Sequence, residues 1–165
     1  MPLTSHHHHS SLPSARSLKF PRSLKFLAGT ASLLAGCLIY LSWRDENIRL
    51  YVWSQKIGLG FIPEWLHSYI GKTDPGAFVR NSLPDGLYCM AYMLIMDALW
   101  ESERLPLRMS MALLIPALAI IHEILQYLRL VPGTFDTADL LCYIIPVLTY
   151  LIYIIFLQYH PFKNR

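Results

Sequence analysis

The chain has 165 residues, 54% hydrophobic and 15% charged, with a formal net charge of +3. Soluble domains carry about 25% charged residues, so this balance excludes an ordinary soluble domain and indicates a membrane protein built as one unit. The basic residues are scattered along the chain rather than gathered on one face, which excludes nucleic acid as an expected partner.

Residues 1–22 are polar, basic and rich in Ser and Pro, and read as a disordered tail. The run His6 to His9 within it is set aside as adventitious or appended. The remainder, 23–165, reads as an all-α membrane domain of four transmembrane helices with an interfacial helix in its first loop. Arg16, Lys19, Arg22 and Lys25 precede the first span, 26–43, and favour a cytoplasmic N-terminus. Leu34-Ala35-Gly36-Cys37 resembles a lipobox, which would make Cys37 a lipidated N-terminus after cleavage. The apolar sequence continues through Leu38-Ile39-Tyr40-Leu41-Ser42-Trp43 to spanning length, so an uncleaved helix is the preferred expectation. Cys37, Cys89 and Cys142 all fall in apolar runs and read as small buried hydrophobes.

Charge density rises between Arg44 and Ser82, and no window there is suited to spanning. Pro63 to Ile70 forms a predicted helix with Trp65, Leu66, Tyr69 and Ile70 on one face. Either the membrane surface or the helix ends could receive that face. The second span, 83–100, opens on Pro84 and carries Asp85 and Asp97 twelve residues apart. Helical rise separates them by about 18 Å, so they cannot share a site. Asp85 could be a first-turn charge favoured by the helix dipole. Asp97, near Glu101, Glu103 and Arg104, reads as a solvated or paired interfacial charge.

The third span, 109–128, is long, apolar and interrupted by Pro116, a predicted kink. His122 and Gln126 share a face near its end, with Glu123 one residue round. His-Glu-x-x-Gln lacks the second histidine of the His-Glu-x-x-His zinc motif, so no metal is expected there, nor any cofactor. Val131-Pro132-Gly133-Thr134 reads as a turn. Asp136 and Asp139 follow, Asp139 placed to cap or open the fourth span, 140–158.

With the N-terminus inside, Arg16, Lys19, Arg22, Lys25, Arg104, Arg108, Lys163 and Arg165 lie inside, against Arg44, Arg49, Lys56, Lys72, Arg80 and Arg129 outside. Both termini are then cytoplasmic, and Asp85, Glu123, Gln126, Asp136 and Asp139 gather at the outer end of the bundle. Arg80, Asn81 and Arg129 stand at the same level, where the arginines could neutralise some of the charge. Ionisable groups placed in membrane helices suggest function, although a polar network tying helix ends together would use the same residues.

The run His122-Glu123-Ile124-Leu125-Gln126, the Pro-Gly turn, and Phe135-Asp136-Thr137-Ala138-Asp139-Leu140-Leu141 together resemble the VanZ-like membrane proteins over Leu83 to Tyr159. The resemblance implies Glu123, Gln126, Asp136 and Asp139 as site residues, with Arg129 nearest to the family's basic loop position. In the last helix, Cys142-Tyr143-Ile144-Ile145-Pro146 replaces the usual Asn-x-x-Gly pattern. It also implies a bacterial cell-envelope role, the founding member being associated with resistance to the glycopeptide teicoplanin.

The leading expectation is a binding or accessory protein of the bacterial cytoplasmic membrane. Its ligand set is Glu123, Gln126, Asp136, Asp139, Asp85 and Arg129, its partners are membrane lipids or a lipid-linked envelope precursor, and it could act as a homo-oligomer or with a membrane protein partner. An enzyme is ranked lower: His122 or Glu123 would be the catalytic base and Asp136 or Asp139 would hold a divalent cation, but no nucleophile motif accompanies them. A transporter or ion-pathway subunit is the third reading and needs an oligomer, because no polar stripe links Asp85 to Asp97.

Overall fold

A computed structural model describes residues 20–44 and 49–159, all helix and loop. His6 to His9, Arg16 and Lys19, as well as Lys163 and Arg165, lie outside the described residues. Within them the elements are α1 Arg22–Trp43, α2 Arg49–Lys56, α3 Phe61–Tyr69, α4 Ala77–Asn81, α5 Leu83–Leu99, α6 Leu105–Tyr127 and α7 Thr137–Tyr159.

Three helices, α1, α6 and α7, are long and apolar enough to cross a membrane, where the sequence reading expects four. The difference is α5. It has 17 residues, about 26 Å at helical rise, and carries a carboxylate near each end. It is nonetheless the centre of the bundle, since α1 packs on one side of it and α6 and α7 on the other.

The packing is inverted relative to a water-soluble helix. The buried residues of α1 are Lys25, Gly29, Ser32, Gly36 and Ser42, whereas Leu27, Leu34 and Leu38 are half exposed or more. In water such a surface would forfeit about 25 cal/mol for every Å² of apolar area left uncovered. Lipid removes that penalty, and helix association then rests on close backbone approach and polar contacts. Gly29 and Gly36 supply the approach: a Cβ on Gly29 would stand 2.8 Å from Ile95 Cγ1 and 3.2 Å from the Ala91 carbonyl oxygen. Between them the Ser32 hydroxyl donates to the Leu87 carbonyl at 3.0 Å. Gly86 plays the same part between α5 and α7, where a Cβ would lie 3.1 Å from Cys142 Cβ.

Deeper in, Cys89, Met93, Ala112, Tyr150 and Ile154 form the buried core. The Tyr92 hydroxyl crosses from α5 to donate to the Met111 carbonyl of α6 at 2.9 Å. Tyr92→Phe is therefore expected to lower the unfolding free energy by about 1 kcal/mol, measured by chemical denaturation in detergent.

The loop region holds three short helices rather than one. α3 starts two residues before the predicted helix, and its expected shared face is split: Leu66 is buried, while Trp65 and Tyr69 point outward with their rings 5.2 Å apart. Leu66 turns inward because α3 packs on α1, a seat fixed by Gly71 against the Ser42 carbonyl and by the Trp43 indole donating to the Thr73 carbonyl at 2.8 Å. Cys37 sits within α1, which continues unbroken to Trp43.

Candidate functional site

The last turn of α6, the first turns of α5 and α7, and the end of α1 meet at one end of the bundle. α7 begins at Thr137, three residues earlier than predicted, and the residue that caps it is Asp136, not Asp139. The Asp136 carboxylate accepts from the Ala138 N–H at 2.8 Å, and its backbone carbonyl accepts the first helical bond from Leu140. Asp139 thereby falls in the first turn with its side chain directed at the neighbouring helices.

Glu123 is the buried member of the group, at 7% exposure. Its carboxylate faces the Asp136 backbone N–H. Oriented by its surroundings, the Gln126 amide nitrogen donates to Glu123 Oε2 and to the Thr134 carbonyl, each at 3.3 Å. The turn is shaped to allow this. Gly133 has φ +135°, and a Cβ there would strike the Gln126 amide, so glycine is needed twice over.

Asp85, half-buried in the first turn of α5, is within hydrogen-bonding reach of the Tyr143 hydroxyl and interacts electrostatically with both Asp139 and Glu123. Below it lies a cavity of about 190 Å³ lined by Tyr88, Cys89, Ile115, Pro116, Ala119 and Tyr143 as well as Asp85 itself. Asp139 Oδ1 is buried and accepts no hydrogen bond.

The structure thus brings Asp85, Glu123, Gln126, Asp136 and Asp139 to one end, and it corrects the expected counter-charges. Arg80 and Arg129 are exposed, Arg129 in the left-handed conformation at φ +59° within the turn after α6, and neither forms an ion pair with the cluster. The cation acting on Asp85 is Arg44, whose guanidinium also lies 5.3 Å over the Tyr40 ring. His122 is exposed on the outer surface of α6, poorly placed to serve as a base inside the cluster. Among the described residues no three His, Cys, Asp or Glu side chains are arranged to hold a metal ion. The cluster leaves the acceptor Asp139 Oδ1 unsatisfied, with the Arg44 Nε donor also buried and unpartnered at the same end. Its chemistry suits a ligand that brings hydrogen-bond donors or positive charge.

The most heavily buried charge lies at the opposite end and was not legible from sequence spacing. Asp97, 1% exposed, accepts from Arg108 Nε at 2.5 Å and Nη2 at 2.6 Å, and from the Tyr150 hydroxyl at 2.7 Å. Lys25 Nζ stands 2.9 Å from Asp97 Oδ2 and 3.2 Å from Glu101 Oε1. Asp97 is paired, but with α1, α6 and α7 rather than with Glu103 or Arg104 beside it in sequence. A shorter α5–α6 loop is the reason: α6 starts at Leu105, which turns Arg108 back across from Asp97. The basic stretch before the first span already contained Lys25, and that cation at a helical position was the available signal.

Comparison with family profiles, with characterised proteins and with solved structures finds no match to this chain.

Proposed function

We propose that this chain is a four-crossing integral membrane protein that binds a membrane-borne ligand at the Glu123–Asp139 cluster. The fourth crossing is α5, which runs alongside the three long helices from Asp97 beside Lys25 to Tyr88 beside Gly36. The cluster then faces the side opposite the start of α1, outward if the N-terminal basic residues are held inside. The aromatic residues Trp53, Phe61, Trp65 and Tyr69, all more than half exposed, suit the headgroup layer on that same side.

One observation carries the binding reading: Asp139 Oδ1 is a buried acceptor without a hydrogen-bond partner beside the buried Glu123, at the same end of the bundle as the buried, unpartnered Arg44 Nε donor. An unsatisfied buried polar atom costs about 1–3 kcal/mol, and a donor-bearing head of a lipid-linked envelope molecule would recover it. The short motif resembling the VanZ-like proteins supports the same residues and a cell-envelope role linked to glycopeptide resistance. Exposed Arg80 and Arg129 do not support recognition of phosphate as the principal contact.

Native mass spectrometry of the protein extracted from membranes, beside Glu123→Gln, tests this. The expected result is a defined lipid-linked adduct on the wild type that the variant loses while remaining folded. Equal adducts on both proteins, or bare chains from both, would make the cluster scaffolding that ties helix ends together.

A further inference from the structure

Among the described residues the ion pairs all gather on Asp97 and Glu101, towards one end of α5. At the other end opposite charges face each other without pairing. Asp85 interacts electrostatically with Arg44, Asp139 and Glu123, yet the Arg44 guanidinium makes no ion pair with any of these carboxyl groups. Each sign also keeps a buried atom unused, Arg44 Nε as donor and Asp139 Oδ1 as acceptor. Two tyrosines link the guanidinium to the carboxyl groups. Arg44 lies 5.3 Å over the Tyr40 ring, which meets the Tyr88 ring edge-on with centroids 6.3 Å apart. Tyr88 in turn lines the cavity of about 190 Å³ beside Asp85 and Tyr143. A buried donor and a buried acceptor that do not meet each cost about 1–3 kcal/mol, and a ligand that satisfies both has to carry the two complementary groups itself.

We infer that the head bound here is a short zwitterion, a primary ammonium and a phosphate a few bonds apart, the chemistry of an ethanolamine phospholipid. The inference rests on the binding reading of the Glu123 cluster and adds the class of head that it takes. The ammonium donates to Asp139 Oδ1 near Asp85, and the phosphate accepts from Arg44 Nε, a guanidinium being well matched to phosphate oxygens. Asp139 Oδ1 lacks a hydrogen-bond donor, so the ammonium has to be primary, because a trimethylated nitrogen has no proton to give. Both charges act on the same Asp85 carboxyl group, which keeps them within the reach of one small head. Arg44 differs here from Arg80 and Arg129, which are exposed and free to be solvated.

The full-length protein in detergent, stripped of copurified lipid, is titrated with phosphatidylethanolamine, phosphatidylcholine or phosphatidylglycerol of identical tails and read by native mass spectrometry. The three share a phosphate and differ in carrying a primary ammonium, a quaternary ammonium or hydroxyl groups. The expected result is one phosphatidylethanolamine per chain, held roughly tenfold tighter than either other lipid, the scale of one hydrogen bond to a charged group. Arg44→Gln is expected to weaken it by about the same factor, and Arg80→Gln, which removes an exposed cation at the same end, to leave it unchanged. Should Arg44→Gln fail to fold, the preference of the wild type among the three lipids decides alone. Free O-phosphoethanolamine as competitor separates the sources: displacement makes a soluble zwitterion the ligand, and persistence of the adduct makes it the lipid. Equal affinity for the three lipids, or equal effects of Arg44→Gln and Arg80→Gln, would overturn the headgroup assignment. A membrane-derived adduct that still depended on Glu123 would then leave the binding reading standing, whereas an adduct indifferent to Glu123→Gln would remove both.

Discussion

Asp97→Asn is expected to destabilise the bundle by about 3–5 kcal/mol, the scale of breaking a buried ion pair from one side. Asp97 is the hub on which three helices converge: α1 through Lys25, α6 through Arg108 and α7 through Tyr150, all meeting on α5. Removing its charge leaves the buried Lys25 and the largely covered Arg108 facing each other with only Glu101, whose side chain is 27% exposed, to answer them. Lys25→Met is the informative comparison. It leaves the bidentate Arg108–Asp97 pair and the Tyr150 bond in place, so its cost should be clearly smaller. Unfolding in detergent, followed by circular dichroism, gives both values. An Asp97→Asn protein as stable as Lys25→Met would show that the cluster is solvated and that Asp97 is not its centre.

Gly29→Leu is expected to cost about 1–3 kcal/mol by overpacking. The Cβ alone would stand 3.2 Å from the Ala91 carbonyl oxygen and 3.3 Å from Leu94 Cβ, atoms fixed to the α5 backbone that cannot swing aside. The helices must separate, and Ser32 then loses its bond to Leu87 one turn further along. Ala31→Leu, on the exposed face of α1, provides the control and should be close to neutral, because lipid accommodates a larger apolar side chain there. Equal effects at both positions would mean that α1 does not pack on α5 through its small residues.

Much of this architecture was legible in the sequence, because long apolar runs reveal membrane helices by length alone. The four predicted spans coincide with α1, α5, α6 and α7 to within about four residues at each end, the scatter expected of helix boundaries read from sequence. α5 falls short of spanning length for a physical reason: Asp85 and Asp97 limit its apolar stretch, and its neighbours, not lipid alone, cover it. The gathering of Asp85, Glu123, Gln126, Asp136 and Asp139 was also legible, since up-and-down topology brings those helix ends to one depth. Partner choice was not. Arg80 and Arg129 were near in depth but point outward, while Arg44 approaches Asp85 from α1, a relation fixed only by how α1 lies on α5. The same applies to Lys25 and Asp97, seventy-two positions apart, and to the division of Leu66 from Trp65 and Tyr69, which depends on where α3 is seated.

Whether α5 crosses the membrane tests the proposed four-crossing arrangement most directly, because α5 carries Asp97 of the hub at one end and Asp85 of the Glu123 cluster at the other. Asp74 and Glu103 are exposed and flank α5. With Cys37, Cys89 and Cys142 replaced by alanine, Asp74→Cys and Glu103→Cys can each be challenged in intact cells with a membrane-impermeant maleimide. The account predicts labelling of the cysteine at position 74 from outside, and labelling at 103 only after the membrane is permeabilised. Labelling of both from the same side would contradict it: α5 would not cross, and the four-crossing arrangement would fail.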